Sequence, residues 1–253
     1  VAQMVFAPIL GRISDKVGRK PVIVFSLIGT AVGSFVTGAA GGIGSATVEN
    51  LVKQGIFVIA VDKNGDALSK TCKSINPDGK LIEMITADLT SEEECQAICE
   101  QVKSKSIRLK GLVNNAAVGA FNMSVESTSF ADWQRIIAIN LTSLYLMAKY
   151  SIPLIRSAGG GAIVNISSIH AYATSTGVAP YASAKGAVLT LTKTMALDLA
   201  PDKIRVVCII PGATDTPMLR QHAEREGKSL AELGFPPGDS AIGRIAQPEE
   251  VAD

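Results

Sequence analysis

A glycine-rich segment at residues 38–44 constrains the fold of this chain more than any other part of its sequence. A short apolar run at 35–37 precedes the first glycine, and a helical pattern at 45–52 follows the last. Strand, glycine turn and helix start together form the context of a phosphate-binding loop. Glycine lets the backbone approach a pyrophosphate, and a helix start offers free N–H groups. The G-x-x-x-G-x-G spacing is looser than the common G-x-G-x-x-G, so the segment alone is equally compatible with a turn that only closes a loop.

The composition is that of a single globular domain and excludes several classes of partner. The chain has 253 residues, of which 47% are hydrophobic, which is enough to bury a substantial core. A net charge of +1 with 19% charged residues lacks the basic excess that nucleic-acid binding needs. Four cysteines are present without a C-x-x-C pair, and neither histidine is close in sequence to Cys95 and Cys99. We therefore expect a cytoplasmic protein with reduced thiols, no metal site and no nucleic-acid partner.

Beyond the glycine segment, apolar β-branched runs alternate with helical patterns along the chain. The predicted strands lie at 34–37, 56–61, 81–87, 111–113, 161–166 and 204–210. The predicted helices lie at 45–52, at 64–75, from Thr90 or Ser91 onward, at 130–157 with a distortion near Pro153, and at 181–199. This alternation predicts an α/β fold, namely a doubly wound, Rossmann-like parallel sheet in three α/β/α layers.

Polar residues and glycines stand at the carboxyl ends of the predicted strands, where ligands bind in doubly wound sheets. They are Gly38, Asp62, Asp88, Asn114, Ser168, Pro211 and Gly212. An acid at the position of Asp62 can accept hydrogen bonds from the adenosine ribose hydroxyls of a dinucleotide. It also repels a 2′-phosphate, which favours NAD over NADP. The alternative is a solvated loop acid beside Lys63.

Tyr181 and Lys185 lie one turn apart on one face of the helix that follows the strand ending at Ser168. A tyrosine, with an ordinary pKa of about 10, is a poor base at neutral pH, and a nearby ammonium favours its phenolate form. Ser168 can hold a substrate oxygen by a hydrogen bond while Tyr181 gives or takes its proton. The Tyr-x-x-x-Lys spacing also occurs in amphipathic helices with a partly buried tyrosine. The catalytic interpretation therefore depends on the position of this pair, directly after the strand that ends at Ser168.

Together these motifs resemble those of the short-chain dehydrogenase/reductase family over residues 34–253. The family's T-G-x-x-x-G-I-G motif, strand-end acid and adenine-contacting pair correspond to Thr37, Gly38, Gly42, Ile43, Gly44, Asp62, Asp88 and Leu89. Its N-N-A-G motif corresponds to 114–117, including Asn114 and Ala116, with Ala117 where the family has a glycine beside the nicotinamide ribose. Its helix asparagine, serine, Y-x-x-x-K motif and P-G-x-x-x-T segment correspond to Asn140, Ser168, Tyr181, Lys185, Pro211, Gly212, Thr214 and Thr216.

The resemblance implies an NAD-dependent oxidoreductase that transfers a hydride between nicotinamide and the carbon of an alcohol or ketone. Tyr181 would be the general acid/base, and Ser168 would position the substrate oxygen. Lys185 would bind the nicotinamide ribose and lower the tyrosine pKa, while Asn140 would hold a water on the proton path. Family membership also implies a small-molecule substrate. It implies a homo-oligomer for an intact member, but not for a chain that lacks the family's C-terminal contacts.

The resemblance also assigns roles to residues around the expected substrate. Thr214 and Thr216 would contact the carboxamide of the cofactor. His170 follows Ser168 closely, where it either contacts a polar substrate or has no role. The segment 221–234, which contains His222, is predicted to be a mobile lid with mixed charges.

The two ends of the chain depart from this family pattern. Residues 11–21 resemble the G-x-x-S-D-x-x-G-R-K-P loop of major facilitator transporters, and 21–48 lacks charge, so a membrane helix there competes with the first strand. We interpret 1–33 as a transporter-like extension, real or an artefact of the gene model. We interpret 34–253 as the NAD-binding domain, truncated before the family's last helix and seventh strand, and we do not expect membrane association. Two alternative functions stay open: a non-catalytic dinucleotide-binding fragment and a membrane transporter fragment.

Overall fold

The computed structural model describes residues 33–234 and 244–253. The transporter-like segment 1–32 lies outside the described residues, together with much of the uncharged stretch that competes with the first strand. Within the described ranges, no helix is both long and apolar enough to cross a membrane. The extension at 1–33 therefore stays a prediction.

In the described part of the chain, the centre of the fold is one sheet of six parallel strands in the order β3-β2-β1-β4-β5-β6. The strands are β1 (Ser34–Thr37), β2 (Val58–Asp62), β3 (Ile82–Thr86), β4 (Gly111–Asn114), β5 (Gly161–Ile166) and β6 (Ile204–Ile209). In this order the chain runs outward from β1 to one edge and then returns to build the other half from β4. The topology confirms the predicted doubly wound, Rossmann-like fold.

Helices cover both faces of the sheet. The described ranges contain α1 (Gly42–Lys53), α2 (Gly65–Ile75), α3 (Glu92–Ser104), α4 (Phe130–Ile137), α5 (Ser143–Ser157), α6 (Ala179–Leu199), α7 (Pro217–Glu226), α8 (Leu230–Gly234) and α9 (Pro248–Ala252). Several helices begin with a polar side chain that accepts an N–H of the first turn, which satisfies one free donor of the helix start. At α3 this cap is Ser91, which accepts from Glu94 N, rather than its neighbour Thr90.

The core has two halves, one on each face of the sheet, because successive strand residues point to opposite faces. Phe35 and Ile163 are buried on the face that α3 and α5 cover. Their successors Val36 and Val164 are buried on the face that α1 and α2 cover. Strands buried on both sides hold the sheet rigidly, so the loops at its carboxyl edge start from well-defined points.

Helical structure extends over the whole predicted range 130–157, as α4, a π-helical turn at Ala138–Thr142 and α5. Pro153 lies inside α5, and the prediction did not include the π-helical turn. In this wider turn side chains hydrogen-bond the backbone carbonyls, since Asn140 Nδ2 donates to Ile136 O at 3.0 Å and Ser143 Oγ to Ile139 O at 2.7 Å. π-Helical turns are frequent at functional sites, and this one carries a predicted site residue.

Candidate active site

Two glycines of the segment between β1 and α1 leave no space for a side chain. A Cβ added to Gly38, which has φ +63°, would lie 2.8 Å from Ala116 Cα, and a Cβ added to Gly44 would lie 2.0 Å from the carbonyl oxygen of Gly38. Asn115 Nδ2 holds the turn from β4 by donating to Thr37 O at 3.2 Å and to Gly38 O at 3.1 Å. No side chain caps the start of α1 at Gly41, so its first N–H groups remain as donors for an anion. The turn therefore fits the pyrophosphate of a dinucleotide.

The Thr37 hydroxyl joins the glycine turn to the end of β4. Its Oγ1 donates to Val113 O at 3.2 Å and accepts from the N–H groups of Asn115 at 2.9 Å and Ala116 at 3.1 Å. The sequence motif pointed to Thr37 and Ala116, but it did not identify Asn115 as a second link. The only signal for Asn115 was its place between Asn114 and Ala116.

The Asp62 carboxylate lies against the glycine turn at the end of β2. Its Oδ2 accepts from Ala40 N at 3.0 Å, and its Oδ1 accepts from Asn64 N at 2.9 Å. These contacts orient the side chain toward the turn. A solvated loop acid, which was the alternative, would not make them. Since a carboxylate has about four acceptor positions, it keeps capacity for the hydroxyls of a ribose.

Asp88, at the end of β3, is held by its neighbours in the charged form. Its carboxylate accepts from Lys63 Nζ at 2.5 Å and from Thr90 Oγ1 at 2.7 Å and Thr90 N at 3.0 Å. The hydrogen bond from Lys63, followed by those from Thr90, lowers the pKa of Asp88 to about 2. The adjacent Leu89 is buried. The role of Asp88 and Leu89 as contacts to adenine stays a prediction.

A chain of buried amides runs from the end of β4 to α6. Asn114 Nδ2 donates to Asn165 Oδ1 at 2.9 Å, and Asn165 Nδ2 donates to Thr192 Oγ1 at 2.9 Å. Asn114 Oδ1 is buried and, among the described residues, has no hydrogen-bond partner. Because an unpaired buried acceptor is costly, this oxygen suits a donor from a bound ligand or a water. Sequence reasoning identified Asn114 but not Asn165 or Thr192, which belong to no motif.

Tyr181, Lys185 and Ser168 lie together at the carboxyl end of β5. Lys185 is 2% exposed, its Nζ donates to Ile166 O at 2.9 Å, and it lies 5.6 Å from the centroid of the Tyr181 ring. Ser167 Oγ donates to Lys185 O at 2.8 Å, which anchors this part of α6 to the strand end. The structure therefore brings together the phenol, the ammonium and the hydroxyl that the sequence predicted.

Burial dominates the electrostatics of this group. It lowers the pKa of Lys185 to about 8, an effect that the nearby Cys208 opposes. It raises the pKa of Tyr181, while a hydrogen bond with Ser168 lowers it. Phenolate at neutral pH therefore needs positive charge beyond what the site supplies before a ligand binds. The positive nicotinamide ring of NAD is such a charge.

Asn140 is 1% exposed in the π-helical turn and connects it to the loop after β4. Its Oδ1 accepts from Val118 N at 3.2 Å. This contact fixes the backbone directly beyond Ala116 and Ala117. The role of Asn140 in holding a water stays a prediction.

The segment after β6 passes over the glycine turn. Pro211 O accepts from Ile169 N at 2.9 Å, and Thr214 is buried with its Oγ1 donating to Gly212 O at 3.2 Å. Thr216 caps α7 and lies so close to the turn that a Cβ on Gly42 would be 2.8 Å from Thr216 Cγ2. Of the two residues predicted to contact the carboxamide, Thr216 therefore lies beside the predicted pyrophosphate site.

Comparison with known proteins identifies the family. Residues 34–227 match the family model described as short chain dehydrogenase. The chain belongs to the short-chain dehydrogenase/reductase family. Membership makes it an NAD(P)-dependent oxidoreductase acting on CH–OH groups, and the family boundary begins at β1.

Relatives of this short-chain dehydrogenase include two ring-alcohol dehydrogenases. It is 34% identical over 243 residues to cyclopentanol dehydrogenase of Comamonas sp. (strain NCIMB 9872), an alignment that covers 96% of this chain and 89% of the relative. It is 34% identical over 219 residues to cyclohexanol dehydrogenase of Acinetobacter sp. (strain SE19), covering 87% and 84%. Among solved structures, it resembles 3-ketoacyl-(acyl-carrier-protein) reductase from Brucella melitensis complexed with NADH. The TM-score is 0.76 at 29% identity, with 87% of each chain covered.

Proposed function

We propose that this short-chain dehydrogenase interconverts a small secondary alcohol and its ketone, with NAD as the redox cofactor and Tyr181 as the general acid/base. The observation that carries the proposal is the buried Lys185 ammonium, which lies 5.6 Å from the centroid of the Tyr181 ring and donates to Ile166 O at the strand end that Ser168 follows. Burying a charged group costs free energy, and groups with perturbed pKa values cluster at functional sites.

In the oxidation direction, Ser168 and Tyr181 hold the substrate hydroxyl between them. Tyr181, as phenolate, accepts the hydroxyl proton while the carbinol C–O bond becomes a carbonyl. NAD bound at the glycine turn would supply the acceptor for the hydride that leaves the carbinol carbon. Lys185 supplies positive charge that favours the phenolate, and its position is fixed by its bond to Ile166 O. In the reduction direction the same phenol returns the proton to the substrate oxygen.

The preference for NAD over NADP rests on Asp62. Its carboxylate lies against the glycine turn through Ala40 N and next to α2 through Asn64 N, where the ribose of a dinucleotide bound at the turn would lie. A 2′-phosphate there would face a negative charge. The nearest basic side chain in sequence, Lys63, is engaged by Asp88.

The substrate class follows from the relatives. Two relatives at 34% identity are a cyclopentanol and a cyclohexanol dehydrogenase. We therefore choose ring-sized secondary alcohols as the first substrates to test.

The test is NAD-linked oxidation of cyclopentanol by the wild type and by two tyrosine variants. Tyr181→Phe removes the proton carrier, so we expect turnover to fall by about a hundredfold or more while NADH binding, followed by fluorescence, is retained. Tyr172→Phe is the matched control because Tyr172 is 66% exposed, and it should keep wild-type activity.

Two outcomes would contradict the proposal. A Tyr181→Phe variant with wild-type turnover would exclude Tyr181 as the acid/base. A wild type that binds NADH but turns over no alcohol or ketone would favour the alternative of a non-catalytic dinucleotide-binding protein.

A further inference from the structure

The loop 118–123, between β4 and α4, contacts α7 through a flat ring stack. The rings of Phe121 and His222 lie 3.7 Å apart between centroids at an interplanar angle of 5°. Next to the stack, Asn122 Nδ2 donates to Glu226 Oε1 at 2.8 Å. Two neighbouring side chains of the loop thus contact two residues that lie one turn apart on α7.

The same loop is tied to the predicted catalytic residues. Val118 N donates to Asn140 Oδ1 at 3.2 Å. At its other end, Met123 N donates to Gly177 O at 2.7 Å, and Ala179 N donates to Met123 O at 3.0 Å. Since α6 begins at Ala179 and carries Tyr181 in its first turn, the loop joins α7 to both Asn140 and Tyr181.

The backbone of the loop is arranged to place the Phe121 ring. Asn122 adopts φ +57°, a left-handed conformation that is costly for a residue other than glycine and that here aims its side chain at Glu226. A Cβ added to Gly119 would lie 2.4 Å from Cε2 of Phe121. The ring therefore lies close to the Gly119 backbone and is stacked on the His222 ring.

Helix α7 spans the distance between the two halves of the site. Its cap, Thr216, touches the glycine turn at Gly42, and its later turns hold the Phe121 loop through His222 and Glu226. Burial, together with Lys228 and Arg225, lowers the pKa of His222, which Glu226 opposes. This direction favours the uncharged imidazole in the stack with Phe121.

We propose that Phe121 and His222 are specificity-determining residues: their stack holds α7 over the substrate space next to Tyr181 and limits the size of the uncharged alcohol that binds there. The inference rests on the proposed function and goes beyond it. Removing either ring enlarges the substrate space next to Tyr181. A small ring alcohol then binds less tightly, and the disadvantage of a bulkier alcohol relative to it becomes smaller. Cofactor contacts lie at the other end of α7 and are not altered.

The kinetic test compares cyclopentanol with a bulkier alcohol, cyclooctanol, in four variants. Phe121→Ala and His222→Ala should each raise KM for cyclopentanol by about fivefold with kcat changed less, and should raise the kcat/KM ratio of cyclooctanol to cyclopentanol. His222→Phe keeps a stacked ring, so its KM for cyclopentanol and its kcat/KM ratio should equal those of the wild type. Gln221→Ala, at an exposed position of the same helix, is the matched control and should behave as wild type. Unchanged KM in both alanine variants, or the same changes in Gln221→Ala, would overturn the inference.

A second measurement does not depend on activity. Amide hydrogen exchange over 217–226 in the full chain should be faster in Phe121→Ala and His222→Ala than in the wild type and Gln221→Ala. Gly119→Ala should have the same effect, because its methyl displaces the Phe121 ring while both rings remain. NADH affinity should be unchanged in all of them.

The outcomes separate this inference from the proposed function. Equal exchange in all variants would overturn the inference. A wild type without turnover, but with exchange that depends on the two rings, would overturn the proposed function and leave the contact between α7 and the loop established.

Discussion

Replacing Lys185 by methionine would reveal what the buried ammonium costs the folded state. Lys185 is 2% exposed, and burial lowers its pKa from 10.5 to about 8. In the unfolded chain the lysine has its ordinary pKa. Between pH 8 and pH 10.5 the unfolded lysine therefore binds a proton that the folded lysine has lost, so the free energy of unfolding rises with pH across this window.

The size of this effect follows from the two pKa values. At about 1.4 kcal/mol per pH unit, the wild type gains about 3 kcal/mol of unfolding free energy across the window relative to a chain without this lysine. Lys185→Met removes the titration and therefore this rise. At neutral pH the variant also loses the donor to Ile166 O, which costs about 1–3 kcal/mol and offsets the removal of the buried charge.

Urea unfolding of wild type and variant at several values between pH 7 and pH 10.5 measures the difference directly. Lys193→Met is the matched control, since Lys193 lies exposed on the same helix, and its unfolding free energy should follow the wild type at every pH. Parallel curves for the wild type and Lys185→Met would refute the claim that the ammonium is buried at a cost. Catalytic loss without any stability difference would leave Lys185 as a ligand-binding residue only.

Two further predictions concern the cofactor site. Gly44→Ala places a methyl 2.0 Å from Gly38 O, so the Kd for NADH in a fluorescence titration should rise by about tenfold or more, whereas Gly186→Ala, where the added methyl meets open space, should leave it unchanged. Asp62→Asn removes the negative charge beside the turn, so the kcat/KM ratio of NADP to NAD should rise by about tenfold; an unchanged ratio would show that Asp62 does not select the cofactor.

The elements of the sheet could be predicted because their signals are local. β5 (Gly161–Ile166) agrees with its prediction in both ends, since an apolar run lies between glycines and serines. β1 (Ser34–Thr37) also agrees with its prediction at both ends, with Gly33 before it and the glycine turn after it. The predicted strand-end residues also meet at one edge, because parallel strands in a doubly wound sheet must end on the same side.

The connections within the site could not be predicted, because they join residues that are far apart in the chain. The Asn114–Asn165–Thr192 chain forms only when β4, β5 and α6 are assembled. The π-helical turn at Ala138–Thr142, where Asn140 and Ser143 donate to backbone carbonyls, has no signal in the hydrophobic periodicity. The stack of Phe121 on His222 likewise has no local signal.

The most direct test of the proposed reaction is the fate of the hydrogen on the carbinol carbon. Cyclopentanol that is deuterated at this carbon is oxidised with NAD, and the reduced cofactor is isolated and analysed by mass spectrometry and NMR. If the protein transfers a hydride as proposed, the deuterium appears on the nicotinamide ring of the reduced cofactor, in amounts equal to the ketone formed. Ketone without a deuterated cofactor, or a reduced cofactor that carries only solvent hydrogen, would contradict the proposed reaction.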